Sequence, residues 1–224
     1  MLGFAAAKRV VALGRSAFFP DDEPDFPIGR STIVHGDDLA PQFGYVGRLY
    51  STTRVLLLGI NPGNGPDHNR SPGDARLMPA ILRFAQFPNE NNYVLATRAY
   101  MTECQKWSVW KRHCAEVIGA GKLSLDEIAY SNCLPWRTAS KSAFSDEVAR
   151  KAAVLYVGPL LEELAPLLIV ALGKTRVGPI LRMSNFALPR VIVWNRAQAA
   201  TKSVLRERAE AAQEVLEMVK FVRK

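Results

Sequence analysis

Four short apolar runs, each closing on turn-forming or polar residues, constrain this chain more than any other feature. They are Arg54–Ile60 (RVLLLGI), Ile128–Cys133 (IAYSNC), Leu167–Leu172 (LLIVAL) and Arg190–Trp194 (RVIVW). Their apolar residues are continuous rather than alternating, the pattern of strands covered on both faces, as in a parallel sheet. Helical patterns lie between them, at about 74–86, at 92–118 and from an N-cap at Ser145 to about Leu164 with a kink at Gly158–Pro159. Gly173-Lys174-Thr175 opens a short helix, and a last helix at 202–222 carries an apolar stripe at Leu205, Ala209, Ala212, Leu216 and Val219. Residues 4–17 form a short amphipathic helix, and the Pro- and Asp-rich stretch 20–48 reads as loop. Strands alternating with helices predict an α/β fold. The expected architecture is a single-domain three-layer αβα sandwich around a four-stranded parallel sheet. Residues 1–53 are its N-terminal helix and loop, and 54–224 its core.

The 224 residues are 48% apolar and 22% charged, which excludes intrinsic disorder. No apolar run approaches the roughly 18 residues of a membrane span, and the basic start has no convincing cleavage site, so a soluble, cytoplasmic protein is expected. Cys104, Cys114 and Cys133 are odd in number and widely spaced, which suits a reducing compartment. With His35, His68 and His113 they give no zinc spacing, so no metal is expected. Lys and Arg exceed Asp and Glu by 29 to 21, for a net charge of +8. Such a field favours polyanions, nucleic acid above all, although a solvated basic surface has the same composition.

In open parallel sheets, ligands bind beyond the carboxyl ends of the strands. That rule selects Gly59-Ile60-Asn61-Pro62-Gly63, the segment from Ser131 to Arg137, Gly173-Lys174-Thr175-Arg176, and Asn195-Arg196-Ala197-Gln198. The site they imply is amide-rich and basic, with few carboxylates. GINPGNG is either a phosphate cradle or a turn in which Asn61 caps its own backbone. Asn132 is either a buried amide satisfied by backbone or a reader of a base edge, since one amide offers both a donor and an acceptor. Lys174 and Thr175 suit a phosphate or a solvated helix start equally. Asp67 and His68 share the loop of Asn61 and either handle water or are simply solvated. Trp136 reads as a packing residue.

Together the four segments resemble the uracil-DNA glycosylase superfamily. GINPG matches the first motif of the mismatch-specific uracil/thymine glycosylases. AYSNCLPWR through LLIVALGKT is similar to the middle of the iron–sulfur uracil glycosylases, and VIVWNRAQ stands where the superfamily has a strand followed by HPS or NPSG. The resemblance covers roughly residues 54–206. It implies a four-stranded parallel sheet between helices and an enzyme that flips uracil out of DNA and hydrolyses its N-glycosidic bond, leaving an abasic site. Asn61 then falls at the water-orienting position, flanked by Gly59, Ile60 and Pro62 in the base pocket. Gly63 stands where the most uracil-restricted branch has a Tyr that blocks the thymine methyl. Asn132 falls at the base-reading position, and Asn195 where a His or Asn stabilises the leaving base. Lys174 and Thr175 fall in a phosphate-touching loop.

The chemistry implied needs no cofactor. Bond cleavage develops oxocarbenium character on the sugar and negative charge on the base, and preorganised donors can stabilise that charge. Departures from the family pattern are specific. Its stacking aromatic falls at Gly73 or Asp74, leaving His68 and Phe84 as substitutes by proximity. Its wedge falls at Ala199, so Arg196 or Gln198 is the candidate DNA contact. The expected partner is uracil-containing DNA, single- or double-stranded, bound by a monomer, with no membrane role. Two alternatives stay open: a catalytically weak relative that binds damaged or single-stranded DNA, and a small-nucleotide-binding α/β module.

Overall fold

The computed structural model describes residues 1–14, 17–18, 41–60, 74–136, 145–173, 175–197 and 201–223. Among the described residues, five strands form one mixed sheet: β1 (Tyr45–Val46), β2 (Val55–Gly59), β3 (Ile128–Asn132), β4 (Leu168–Leu172) and β5 (Arg190–Trp194), in the order β1-β3-β2-β4-β5. The four apolar runs are the four parallel strands. The expectation of four strands needs one correction, because Tyr45–Val46 adds a short antiparallel edge beside β3. This edge lies in the stretch read as loop. Gly44, at φ +85°, makes the close approach possible, since a Cβ there would overlap the Tyr130 carbonyl.

The helices are α1 (Phe4–Leu13), α2 (Asp74–Gln86), α3 (Glu90–Glu103), α4 (Ala115–Gly121), α5 (Asp146–Ala152), α6 (Gly158–Leu164), α7 (Val177–Met183) and α8 (Lys202–Val222). Alternation along β3 shows that helices cover both faces of the sheet. Tyr130 packs against Trp110, with ring centroids 5.2 Å apart, whereas Ser131 Oγ lies 2.8 Å from the Tyr156 hydroxyl on the opposite face. Trp110 and Tyr156 both lie in π-helical segments, Trp110–Cys114 and Ala153–Val157, that widen the helices bearing them. The second has a plain cause. Pro159 cannot donate a backbone bond and crowds the preceding turn, and the helix relieves this just before it, where a kink was expected. The single helix suggested by the sequence over 92–118 is divided before the first of these segments, by a 3-10 turn at Cys104–Lys106 and the extended Trp107.

The opposite, amino-terminal end of the sheet is closed by paired left-handed residues. Arg54 (φ 53°) donates Nε–H to the Ala165 carbonyl at 2.6 Å, and Ala165 (φ 42°) ends α6. Glu163 accepts from the Ala5 and Ala6 N–H groups at 3.2 and 2.8 Å, capping α1 from outside. Ser145 caps α5 as expected, and Glu127 accepts from the Ser124 N–H at 2.8 Å. The stripe expected on α8 holds at Val219 but is displaced before it: Ala211 and Val215 are buried, while Leu205 is 51% exposed. Small residues decide this packing, for α8 lies so close to α4 that a Cβ on Gly121 would touch Val215 at 3.2 Å. No helix among the described residues is long and apolar enough to cross a membrane.

Candidate functional site

The carboxyl ends of β2 and β3 are in register, with Gly59 beside Asn132. Pairing continues past the strands: Cys133 N–H donates to the Gly59 carbonyl and Leu134 N–H to the Ile60 carbonyl, both at 2.9 Å. Asn132 is 1% exposed, yet its Nδ2 finds no hydrogen-bond partner among the described residues. The Tyr130 hydroxyl and the Asn132 amide lie side by side over Gly59. Burial pushes the Tyr130 hydroxyl far above its ordinary pKa, so it remains un-ionised. Gly59 leaves the space into which the amide extends, because a Cβ there would overlap Asn132 Oδ1. Asn132 is thus a held amide with an unsatisfied donor. Such a group costs about 1–3 kcal/mol unless a ligand or water meets it.

Ile60, the next residue on that side, lies under β4's exit, 3.5 Å from where a Gly173 Cβ would stand. Gly173 itself has φ +131° and donates its N–H to the Trp194 carbonyl at 3.1 Å, tying the β4 exit to β5. Thr175 is exposed just before α7. Lys174, Gln198, Asn61, Pro62, Gly63, Asp67 and His68 lie outside the described residues.

The β5 exit differs from the carboxylate-poor site expected. Asn195 Oδ1 accepts from the Ala197 N–H at 2.9 Å, while its Nδ2 donates to Glu207 Oε2 on α8, also at 2.9 Å. Arg208, one residue further along α8, donates to the carbonyls of Asn195 and Ala197 at 2.8 and 3.0 Å. Both ends of the Asn195 amide are therefore engaged and the turn Asn195–Ala197 is clamped. Arg196, within that turn, is half-buried. Its positive charge acts on Tyr130, Cys114 and His113, all on the Asn132 face of the sheet.

His113 is 8% exposed, with its Nδ1 unpartnered among the described residues. Burial, then the charges of Arg196, Arg208 and Arg112, lower its pKa to about 4, so the ring is neutral near pH 7. Of the two stacking substitutes weighed from sequence, His68 lies outside the described residues and Phe84 falls in the core. Phe84 is fully buried, 5.0 Å from Phe43 and 5.7 Å from Tyr93, and cannot stack on a ligand. Trp136 packs against Phe18 at 4.7 Å, as expected. The three cysteines are free and buried.

Tyr130, His113, Glu207 and Arg208 were not singled out as site residues by sequence. Tyr130 had a readable signal, since it precedes Asn132 by two and strand alternation puts both on one face. The others meet the strand ends only through helix packing. The chain matches no protein-family model and no curated protein.

Proposed function

We propose that this chain is a monofunctional uracil-DNA glycosylase with a uracil-DNA glycosylase-like α/β fold, acting on uracil-containing DNA without a cofactor. The observation that carries the reading is Asn132, a buried amide at the end of a central parallel strand, beside the Tyr130 hydroxyl and with Nδ2 unpartnered among the described residues. A flipped uracil offers this amide a matching edge: O4 accepts from Nδ2, and N3–H donates to Oδ1. Cytosine reverses that pattern and would leave two polar groups mispaired, so it is rejected. The order of the four loop segments along the sheet and the net charge of +8 support the same reading. Asn61, Asp67 and His68 remain the candidates for orienting the attacking water, with Thr175 and Lys174 toward phosphate.

Incubation with single- and double-stranded uracil oligonucleotides, followed by alkaline cleavage at abasic sites, tests the proposal. Wild-type protein releases uracil, and Asn132→Ala loses about 10- to 100-fold in single-turnover rate, the equivalent of one well-placed buried hydrogen bond. Full uracil release by Asn132→Ala removes the basis of the reading.

A further inference from the structure

The Asn195 amide is poorly placed to receive charge from a ligand beside Asn132. Its Nδ2 is spent on a carboxylate, Glu207, and a carboxylate beside a developing anion opposes its formation. Distance points the same way. Asn132 and Asn195 terminate strands three places apart in the sheet, about 14 Å across at roughly 4.8 Å per strand. An asparagine amide extends about 3 Å from its Cα and an extended arginine about 7 Å, from standard bond lengths.

Arg196 has the reach and the sign. The clamp of Arg208 on the carbonyls either side fixes its backbone. Its side chain is half-buried, and its charge is felt at Tyr130, the neighbour of Asn132 over Gly59. No carboxylate among the described residues pairs with its guanidinium, whereas its neighbours Arg208 and Arg206 approach Glu116 and Glu210. The groups its charge acts on, Tyr130, His113 and Cys114, are neutral.

We infer that Arg196, rather than Asn195, is the catalytic residue that stabilises negative charge on the departing base. The inference rests on the glycosylase reading above. The C1′–N1 electron pair leaves with the base, and water supplies the new C1′ hydroxyl and loses a proton to solvent. The base anion takes up a solvent proton after release. Arg196 keeps its proton throughout and acts only by its charge and N–H donors, a contribution typical of about 10²–10³-fold in rate.

The experiment compares wild type, Arg196→Gln, Arg196→Lys and Arg206→Gln, the last removing the same charge from an exposed site on α8. Single-turnover excision is measured on uracil and on 5-fluorouracil, the better leaving group, with DNA affinity and thermal unfolding in parallel. Arg196→Gln is expected to lose about 100-fold on uracil and under about 10-fold on 5-fluorouracil, because a good leaving group needs less stabilisation. Arg196→Lys recovers most of the rate, and Arg206→Gln is unchanged. Equal losses on both bases, or a loss confined to DNA affinity, overturn the inference and leave the glycosylase reading standing. Absence of any base release by wild type overturns that reading instead. Binding of barbiturate, a pyrimidine anion at neutral pH, then decides whether Arg196 faces a base-sized site. Weaker binding in Arg196→Gln alone supports that placement, and equal binding in all four proteins overturns it.

Discussion

Gly59→Ala isolates the geometry on which the site depends. Gly59 lies in β2, and its φ is not among the positive values that favour glycine, so alanine suits the backbone. The added methyl has one obstacle nearby: it would overlap Asn132 Oδ1, with Asn132 Cγ next at 3.5 Å and the Tyr130 hydroxyl at 3.6 Å. Asn132 cannot swing into solvent, being 1% exposed. Overpacking of this kind costs about 1–3 kcal/mol. Against this, alanine restricts the unfolded chain and returns about 0.4–1 kcal/mol. The net expectation is a loss of about 1 kcal/mol, read as a lower urea midpoint at unchanged slope. The same substitution in an Asn132→Ala background meets no amide, so it should be neutral or stabilising. A coupling of about 2 kcal/mol between the two sites is therefore expected from the four proteins. If Gly59→Ala costs as much without the amide as with it, the methyl collides with something else and the Gly59–Asn132 fit is wrong.

Two further predictions concern stability. His113, with a folded pKa lowered to about 4 from an ordinary value near 6.5, lets the unfolded chain bind a proton first as pH falls, so its contribution is complete above pH 6.5 and is lost towards pH 4, with a ceiling of about 3 kcal/mol. His113→Gln should flatten the urea midpoint across that window, and an unchanged slope would show that the ring titrates normally. Ala165→Gly relieves a left-handed residue at the end of α6 and should raise stability by about 0.5–1 kcal/mol in the same assay; a decrease would mean the alanine methyl contributes more by packing than it costs in strain.

The sheet was legible because its strands are apolar throughout, a signal that survives without knowledge of their neighbours. β1 was not, since two residues between Gly44 and Gly47 carry no periodicity, and only the close approach to Tyr130 reveals the pairing. The last helix was legible in extent but not in facing. Leu205 and Leu216 suggested a stripe by size, whereas contact with α4 selects Ala211 and Val215, where small side chains allow the helices to approach. At the site, Asn132 was visible as a polar residue ending an apolar strand. The engagement of Asn195 was not, because its partner Glu207 lies twelve residues later on a helix whose rotation the sequence misjudged. The carboxylate-poor site expected from the loops is therefore incorrect at the β5 end, where Glu207 reaches the Asn195 amide.

The gripping of β3 from both sides explains how a costly amide can be kept in place. Leaving Nδ2 unsatisfied favours any rearrangement that finds it a partner, so the strand beneath it must resist moving. Tyr130 is wedged among Trp110, Tyr100 and Tyr45, and next to it Ser131 is bonded to the Tyr156 hydroxyl and the Phe43 carbonyl. Each face is supplied by a helix widened by one π turn, a feature that costs helical hydrogen-bond geometry and shifts the following residues around the axis. Without those widened turns, Trp110 and Tyr156 would sit in a different rotation relative to the residues that follow them, and the two faces would lose contact with successive residues of the same strand. The stability given up in two irregular helices and one unsatisfied donor is concentrated on the residues immediately preceding the end of β3. That concentration is the pattern expected of a recognition group whose precision matters more than its contribution to folding.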